Sequence, residues 1–298
     1  MNMKRILFAI CSSALFFTGC KETDTPLDFN HTASTDSIYV VSPVTTQAHN
    51  VLVEEFTGQS CPNCPAAHAD LDALAANNPG RVNAISLFPY GQPQAVPPSG
   101  HKYDFEDSTA SDIINKIYSG GGFLPGAGID RTTFSGNLYL GESTWDADVT
   151  SLFTLSDSAT LLVASTYTTT GTTTIANITT TVTYAYPVTT LQNLNIAIVE
   201  DSMTDIQEDN AAASGYDTNY VFTGVFRGMV TNDYIGDPIL ATTTKVTGTT
   251  ERKVYTYTLP TKSPAINPAH CRVIVFISSG TPPYAPIWQS QQCTLSGL

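Results

Sequence analysis

Charge is what this sequence has least of. Asp, Glu, Lys and Arg make up 13% of its 298 residues, against about 25% in an ordinary soluble domain. Positive charge is scarcest, with 13 Lys and Arg against 26 Asp and Glu and a formal charge of −13. A chain this acidic, without a basic cluster, excludes nucleic acid as a partner. No second Cys-x-x-Cys accompanies Cys61 and Cys64, which removes the two-pair zinc ribbon. Gly120-Gly121-Gly122 does not lead from a strand into a phosphate-binding helix, and no cofactor is expected. No Ser-His-Asp signature can be placed, so a hydrolase has no support. "DSMTDIQEDN", residues 201–210, lacks the alternating ligands and glycine of a calcium loop and reads as a solvated acidic loop. No metal site is expected.

Thr, Ser, Asn and Gly fill the space left by charge, as in "STYTTTGTTTIANITTTVTY". That composition suits β-structure on an extracytoplasmic surface. The first twenty residues, "MNMKRILFAICSSALFFTGC", run from a basic start through an apolar core to small residues, the layout of a secretory signal. The apolar stretch is short for a membrane span. Its end, Phe17-Thr18-Gly19-Cys20, resembles a bacterial lipobox, which implies cleavage after residue 19 and lipid on Cys20. The following "KETD" resembles the signals that send lipoproteins of Bacteroidetes to the outer face of the outer membrane. Residues 20–48 then read as a lipidated flexible tether with a short strand possible at "SIYVV".

"NVLVEEF" is a strand, with Leu52, Glu54 and Phe56 on one face and Val51, Val53 and Glu55 on the other. Cys64, Ala67, Leu71, Leu74 and Ala75 recur at helical spacing until Asn77-Asn78-Pro79-Gly80 stops them. Pro62 suits a first helical position, which makes Cys61 the N-cap. A strand at "RVNAISLF", a second helix and a Gly-marked strand complete a β-α-β-α-β order over residues 49–150, an α/β unit. From residue 155 to 298 seven short strands follow, an all-β region of immunoglobulin-like sandwich size. If Cys271 faces Cys293, the last hairpin centres on Pro282, amid the turn residues of "GTPPY", and a structural Cys271–Cys293 disulfide follows.

Cys61-Pro62-Asn63-Cys64 admits three uses. A Cys–Cys–His metal site with His68 lacks a fourth ligand, and His68 reads more simply as a helix-face histidine. A redox couple gains from a helix N-terminus, which stabilises thiolate. A fixed disulfide needs only the oxidising compartment. Strand, Cys-x-x-Cys, helix and strand resemble the thioredoxin layout, although Ser60 stands where thioredoxins carry Trp. That resemblance implies a buried acid at Glu55 acting as proton relay and a cis-proline at Pro125 in "GGFLPGAGIDR". An active couple would use Cys61 to attack and Cys64 to resolve.

"VEEFTG", "CPNCP" with His68, "YDFEDSTASDIINKIYSGGGFLPGAGIDR", "YVFTGVFRGMV" and the closing "QCTL" together resemble the outer-membrane-protein-28-related lipoproteins of Bacteroidetes. The resemblance implies a thioredoxin-like domain followed by a β-sandwich, anchored in the outer membrane through Cys20 and facing outward. The favoured expectation is a binding or structural module for an unknown protein or glycan ligand, with Cys61–Cys64 as a structural disulfide. The alternative is an envelope thiol–disulfide oxidoreductase.

Overall fold

The computed structural model describes residues 31–297 apart from 233, 241–243, 263 and 281–284, with side chains from residue 37 onward. The signal segment, Cys20 and the Pro282 turn lie outside the described residues. The first elements are β1 (His31–Val40), β2 (Val51–Phe56), α1 (Cys64–Asn77), β3 (Val82–Leu87), α2 (Ser108–Lys116), β4 (Gly126–Ile129) and α3 (Trp145–Leu152). Then come β5 (Ala159–Thr170), β6 (Thr173–Tyr184), β7 (Gln192–Glu200), β8 (Met203–Glu208), β9 (Tyr216–Phe222) and β10 (Val225–Met229). The chain closes with β11 (Asp237–Ile239), β12 (Thr249–Thr258), β13 (Cys271–Ser279), β14 (Ile287–Thr294) and β15 (Ser296–Gly297). The architecture is mixed α/β, mostly sheet with few helices.

Local chemistry sets the element ends. Asp107 caps α2 by accepting the Thr109 amide at 2.8 Å, as short acidic side chains do at helix starts. Helix α1 stops at the Asn-Asn-Pro-Gly signal, where Gly80 takes a positive φ of 74°. "YVFTGVFRGMV" is broken in two by Thr223-Gly224, since Gly224 at φ 63° turns the chain out of β9 before β10 begins.

Two large sheets and a ribbon result. A five-stranded sheet has the order β1-β12-β6-β5-β15, and β8 with β9 forms the two-stranded ribbon. An eight-stranded sheet runs β14-β13-β7-β10-β3-β2-β4, with β11 paired to β7. One face of this larger sheet packs Leu52, Phe56, Val199 and Phe276 against Ile113, Ile114 and Ile117 of and just after α2. On its other face Val51 and Val53 meet Leu71 and Leu74 of α1 and Val149 of α3. Further along, Ile196, Ile198, Val273 and Val275 meet Ile178, Val182 and Tyr255 of the five-stranded sheet.

Three expectations are corrected here. The sandwich region does not keep its strands to itself: β10 pairs in parallel with β3 through Val225 and Ser86, so one sheet crosses the boundary drawn at 150–155. The reason is visible in "LNIAIVE" and "CRVIVFISS", which lack polar alternation because both faces are covered. The tether is not free over its whole length, because β1 runs antiparallel to β12 from His31↔Tyr257 to Val40↔Thr249. Cys271 and Cys293 are free thiols. Cys293 stands opposite Val273 and Cys271 opposite Glu200, so the register is two residues away from the one a bond needs.

Candidate functional site

The strand β2 is buried on both faces yet carries two adjacent carboxylates, and each must be paired where it points. Glu54 faces α2 and receives Arg131 through Nε at 2.9 Å and Nη2 at 2.7 Å, together with the Tyr118 hydroxyl. Arg131 also lies over the Phe276 ring, 5.2 Å from its centroid. Glu55, on the other face, accepts from Nδ1 of His68 at 3.0 Å and from the Ser86 hydroxyl at 2.9 Å. Nε2 of His68 donates to Thr223 at 2.7 Å, and Thr223 donates to Asp72 at 3.3 Å. Burial opposes charge on His68, but the Glu55 carboxylate outweighs it and raises the imidazole to about 9. His68 is therefore an imidazolium at neutral pH and donates both N–H groups, which leaves no lone pair for a metal. Among the described residues no group of three His, Cys, Asp or Glu is placed to hold a metal ion.

Cys61 and Cys64 form a disulfide. The helix starts later than the sequence suggests: α1 begins at Cys64, its N-cap is Asn63, and Pro65 occupies its first turn. Cys61 lies before the helix in a tight turn, where its amide donates to Gly58 and its carbonyl accepts the Cys64 amide at 3.1 Å. The helix N-terminus thus adjoins Cys64 rather than Cys61. The Leu124–Pro125 peptide bond is cis, and Pro125 precedes Gly126, which pairs with Phe56 at the end of β2.

Both sulfur-bearing residues are closed off, Cys61 at 1% exposure and Cys64 at 2%. The cover is the ribbon β8–β9. Gln207 Nε2 donates to the carbonyls of Cys61 at 3.0 Å and Gly58 at 3.1 Å, the Glu208 amide donates to Gln59, and the Asn210 amide donates to Pro62. Met203 and Phe222 of the ribbon pack with Phe88 and Phe105, fixing it to the body. A second cover comes from the 92–98 loop, whose Gln94 and Val96 carbonyls accept from the Ser60 amide and hydroxyl. Gly58 lets that loop approach, since a Cβ there would meet the Gln94 oxygen at 2.1 Å.

The acidic stretch at 201–210 is thus no solvated loop. Asp205 is buried and accepts the amides of Lys102, Tyr103 and Ile206, and Asp201 pairs with Arg272 at 2.7 Å. Period-2 burial runs through Met203, Asp205 and Gln207, a strand signal masked by the polar types on its buried face.

His49, not singled out from the sequence, sits at a second buried cluster. It donates through Nε2 to Asp130 at 2.6 Å and through Nδ1 to Asp157 at 2.7 Å. Burial works against its charge, but these two carboxylates raise it to about 10. The cluster ties the start of β2 to the residues after β4 and before β5. Cys271, by contrast, is inert: burial and then Glu200 push its thiol up to about 12.

Comparison with known proteins bears on the whole arrangement. Over 83% of this chain and 76% of the other, the fold is similar to HBP35 of Porphyromonas gingivalis, at 17% identity and a TM-score of 0.57. Two further solved structures match less closely: an Agrobacterium tumefaciens protein (14% identity, 84% of this chain and 96% of that one, TM-score 0.44) and a domain of the outer membrane lipoprotein Omp28 from Porphyromonas gingivalis (11%, 47% and 90%, TM-score 0.30). No protein of curated function matches the sequence. The family model described as outer membrane protein Omp28 matches residues 112–282, from within α2 to just past β13. With more than half its length under that one model, this chain belongs to the outer membrane protein Omp28 family.

Proposed function

We propose that this chain is a lipid-anchored, outward-facing binding module of the outer membrane, in which a thioredoxin-like unit serves as scaffold and not as a redox enzyme. Cys20 is the lipid site in this reading, and an immunoglobulin-like layer built on β5, β6 and β12 stands against the scaffold. The thioredoxin-like assignment draws support from β2, the Cys-x-x-Cys turn, α1 and the parallel β3, with the cis Leu124–Pro125 bond ahead of β4.

The burial of both cysteines carries the functional part. An attacking thiolate must reach a partner's sulfur, and Cys61 lies under hydrogen-bonded ribbon and loop. Glu55, which a thioredoxin-like enzyme would use to move a proton, holds His68 and Ser86 through Oε2, while its buried Oε1 has no hydrogen-bond partner. A disulfide so enclosed staples the turn that joins β2 to α1.

Glutathione equilibration of a soluble form with Cys20, Cys271 and Cys293 replaced by serine tests this. A reduction potential below about −300 mV is expected for a structural bond. A value above about −280 mV, in the range of catalytic couples, would transfer the assignment to an envelope thiol–disulfide oxidoreductase.

A further inference from the structure

A double groove runs beside β10, away from the cysteines. Its larger part, about 450 Å³, is bounded by Tyr90, Asp104, Glu106, Phe226, Arg227 and Lys262. Its smaller part, about 210 Å³, takes in Gly228, Asn232 and Tyr257. Asp107, Arg227 and Lys262 line both, so the 2.7 Å ion pair between Lys262 and Asp107 forms the ridge between them. The larger volume falls within the range of small-molecule sites.

The lining restricts what fits. Asp104, Glu106 and Asp107 oppose an anion. Arg227 and Lys262, each paired with a carboxylate, balance part of that charge. Arg227 is 2% exposed and is held by Glu200 at 3.1 Å and the Pro264 carbonyl at 2.7 Å. Arg227 is thereby fixed as a buried part of the wall, and Lys262 is the more exposed cation. Charged walls make a purely apolar ligand costly, because its arrival would strip water from them. Gly228 lets Tyr257 approach the strand closely, since an added Cβ would lie 2.9 Å from its hydroxyl. Tyr90, 68% exposed at the mouth, offers a flat aromatic face with a polar tip.

We propose that this groove binds a neutral polyhydroxylated ligand, a saccharide. The sugar's hydroxyls can donate to the carboxylates and accept from Lys262, while the C–H face of a ring lies on Tyr90. The inference deepens the binding-module reading by naming the ligand class, and it stands on residues that reading does not use.

The test is saturation-transfer NMR on the full chain with maltotetraose, cellotetraose, xylotetraose and chitotetraose, with tetralysine and sialyllactose as charged probes. At least one neutral tetrasaccharide is expected to bind saturably, and Tyr90→Ala and Lys262→Met are each expected to weaken it by about tenfold. Tyr90 is exposed, so its replacement reads binding even if Lys262→Met disturbs the α2 cap. Absence of saturable binding by all four neutral sugars overturns the proposal. So does binding indifferent to Tyr90→Ala, or stronger binding of either charged probe. An inert disulfide without sugar binding would leave the module reading and remove this one; sugar binding with a redox-active disulfide would do the reverse.

Discussion

Single residues carry the argument that two adjacent glutamates in a buried strand are structural commitments. Glu54 and Glu55 point to opposite faces, and each meets one cation, Arg131 or His68. Removing either partner would leave a carboxylate unpaired in the interior, a loss of roughly 3–5 kcal/mol. The His68 pair also has a pH signature. Its folded value of about 9 lies above the unfolded 6.5, so its contribution is complete below pH 6.5 and is lost as pH rises through 9. The shift corresponds to up to about 3 kcal/mol. Urea unfolding of the intact chain should therefore show stability falling above pH 6.5 as both His68 and His49 lose their protons, and His68→Gln should make the fall between 6.5 and 9 about half as steep, leaving the His49 part in place. Equal slopes in both proteins would show that His68 is not charged by Glu55. The spacing of Glu55, Cys61 and His68 was open to sequence reasoning, but their mutual bonding was not. It depends on how β2 and α1 face one another, and on Ser86 and Thr223 arriving from distant segments.

At the scale of elements, the ribbon β8–β9 decides what the Cys-x-x-Cys can do. Its sequence is acidic and polar, because Asp205 and Gln207 spend their side chains on backbone amides and carbonyls instead of on water. That inversion is why residues 201–210 read as solvated loop: the pattern is period 2, but its buried positions are polar. The apolar strands were legible because their burial follows hydrophobicity directly. Register was not, and the two-residue offset that separates Cys271 from Cys293 arises in β13 and β14 themselves. The covering role yields its own expectation. Gln207→Ala removes the side-chain donor that ties the ribbon to the Gly58 and Cys61 carbonyls, which keep the Cys61 and Cys64 amides, so the cost is that of the lost hydrogen bonds, about 1 kcal/mol each. Reduction of Cys61–Cys64 by dithiothreitol should accelerate by about tenfold or more while the far-UV circular dichroism stays unchanged. An unchanged rate would mean that the ribbon does not shield the bond.

Across the whole molecule, the change in sequence style near residue 155 is real but does not divide the core. Thr-rich alternation marks β5 and β6, whose sheet has a solvent-facing side. The unbroken apolar runs of β7 and β13 mark strands buried on both faces, and one of those faces is shared with α2 and β2. Composition separates the two halves, while the pairing of β10 with β3 joins them. His49 adds a second joint through Asp130 and Asp157. Residues 155–298 expressed alone would expose Ala197, Val199, Ile274 and Phe276, which pack against Leu52, Phe56 and Ile114 in the intact chain. A contiguous apolar face of that kind drives aggregation or a loosely packed state. The isolated segment should bind a hydrophobic dye and lack a sharp thermal transition, whereas the intact chain should melt in one cooperative step, because its sheet cannot lose β2 and β3 without exposing the same face. A soluble 155–298 segment with its own sharp transition would mean that β7, β10, β13 and β14 close a core without β2 and β3, and that the sheet joins two units instead of building one.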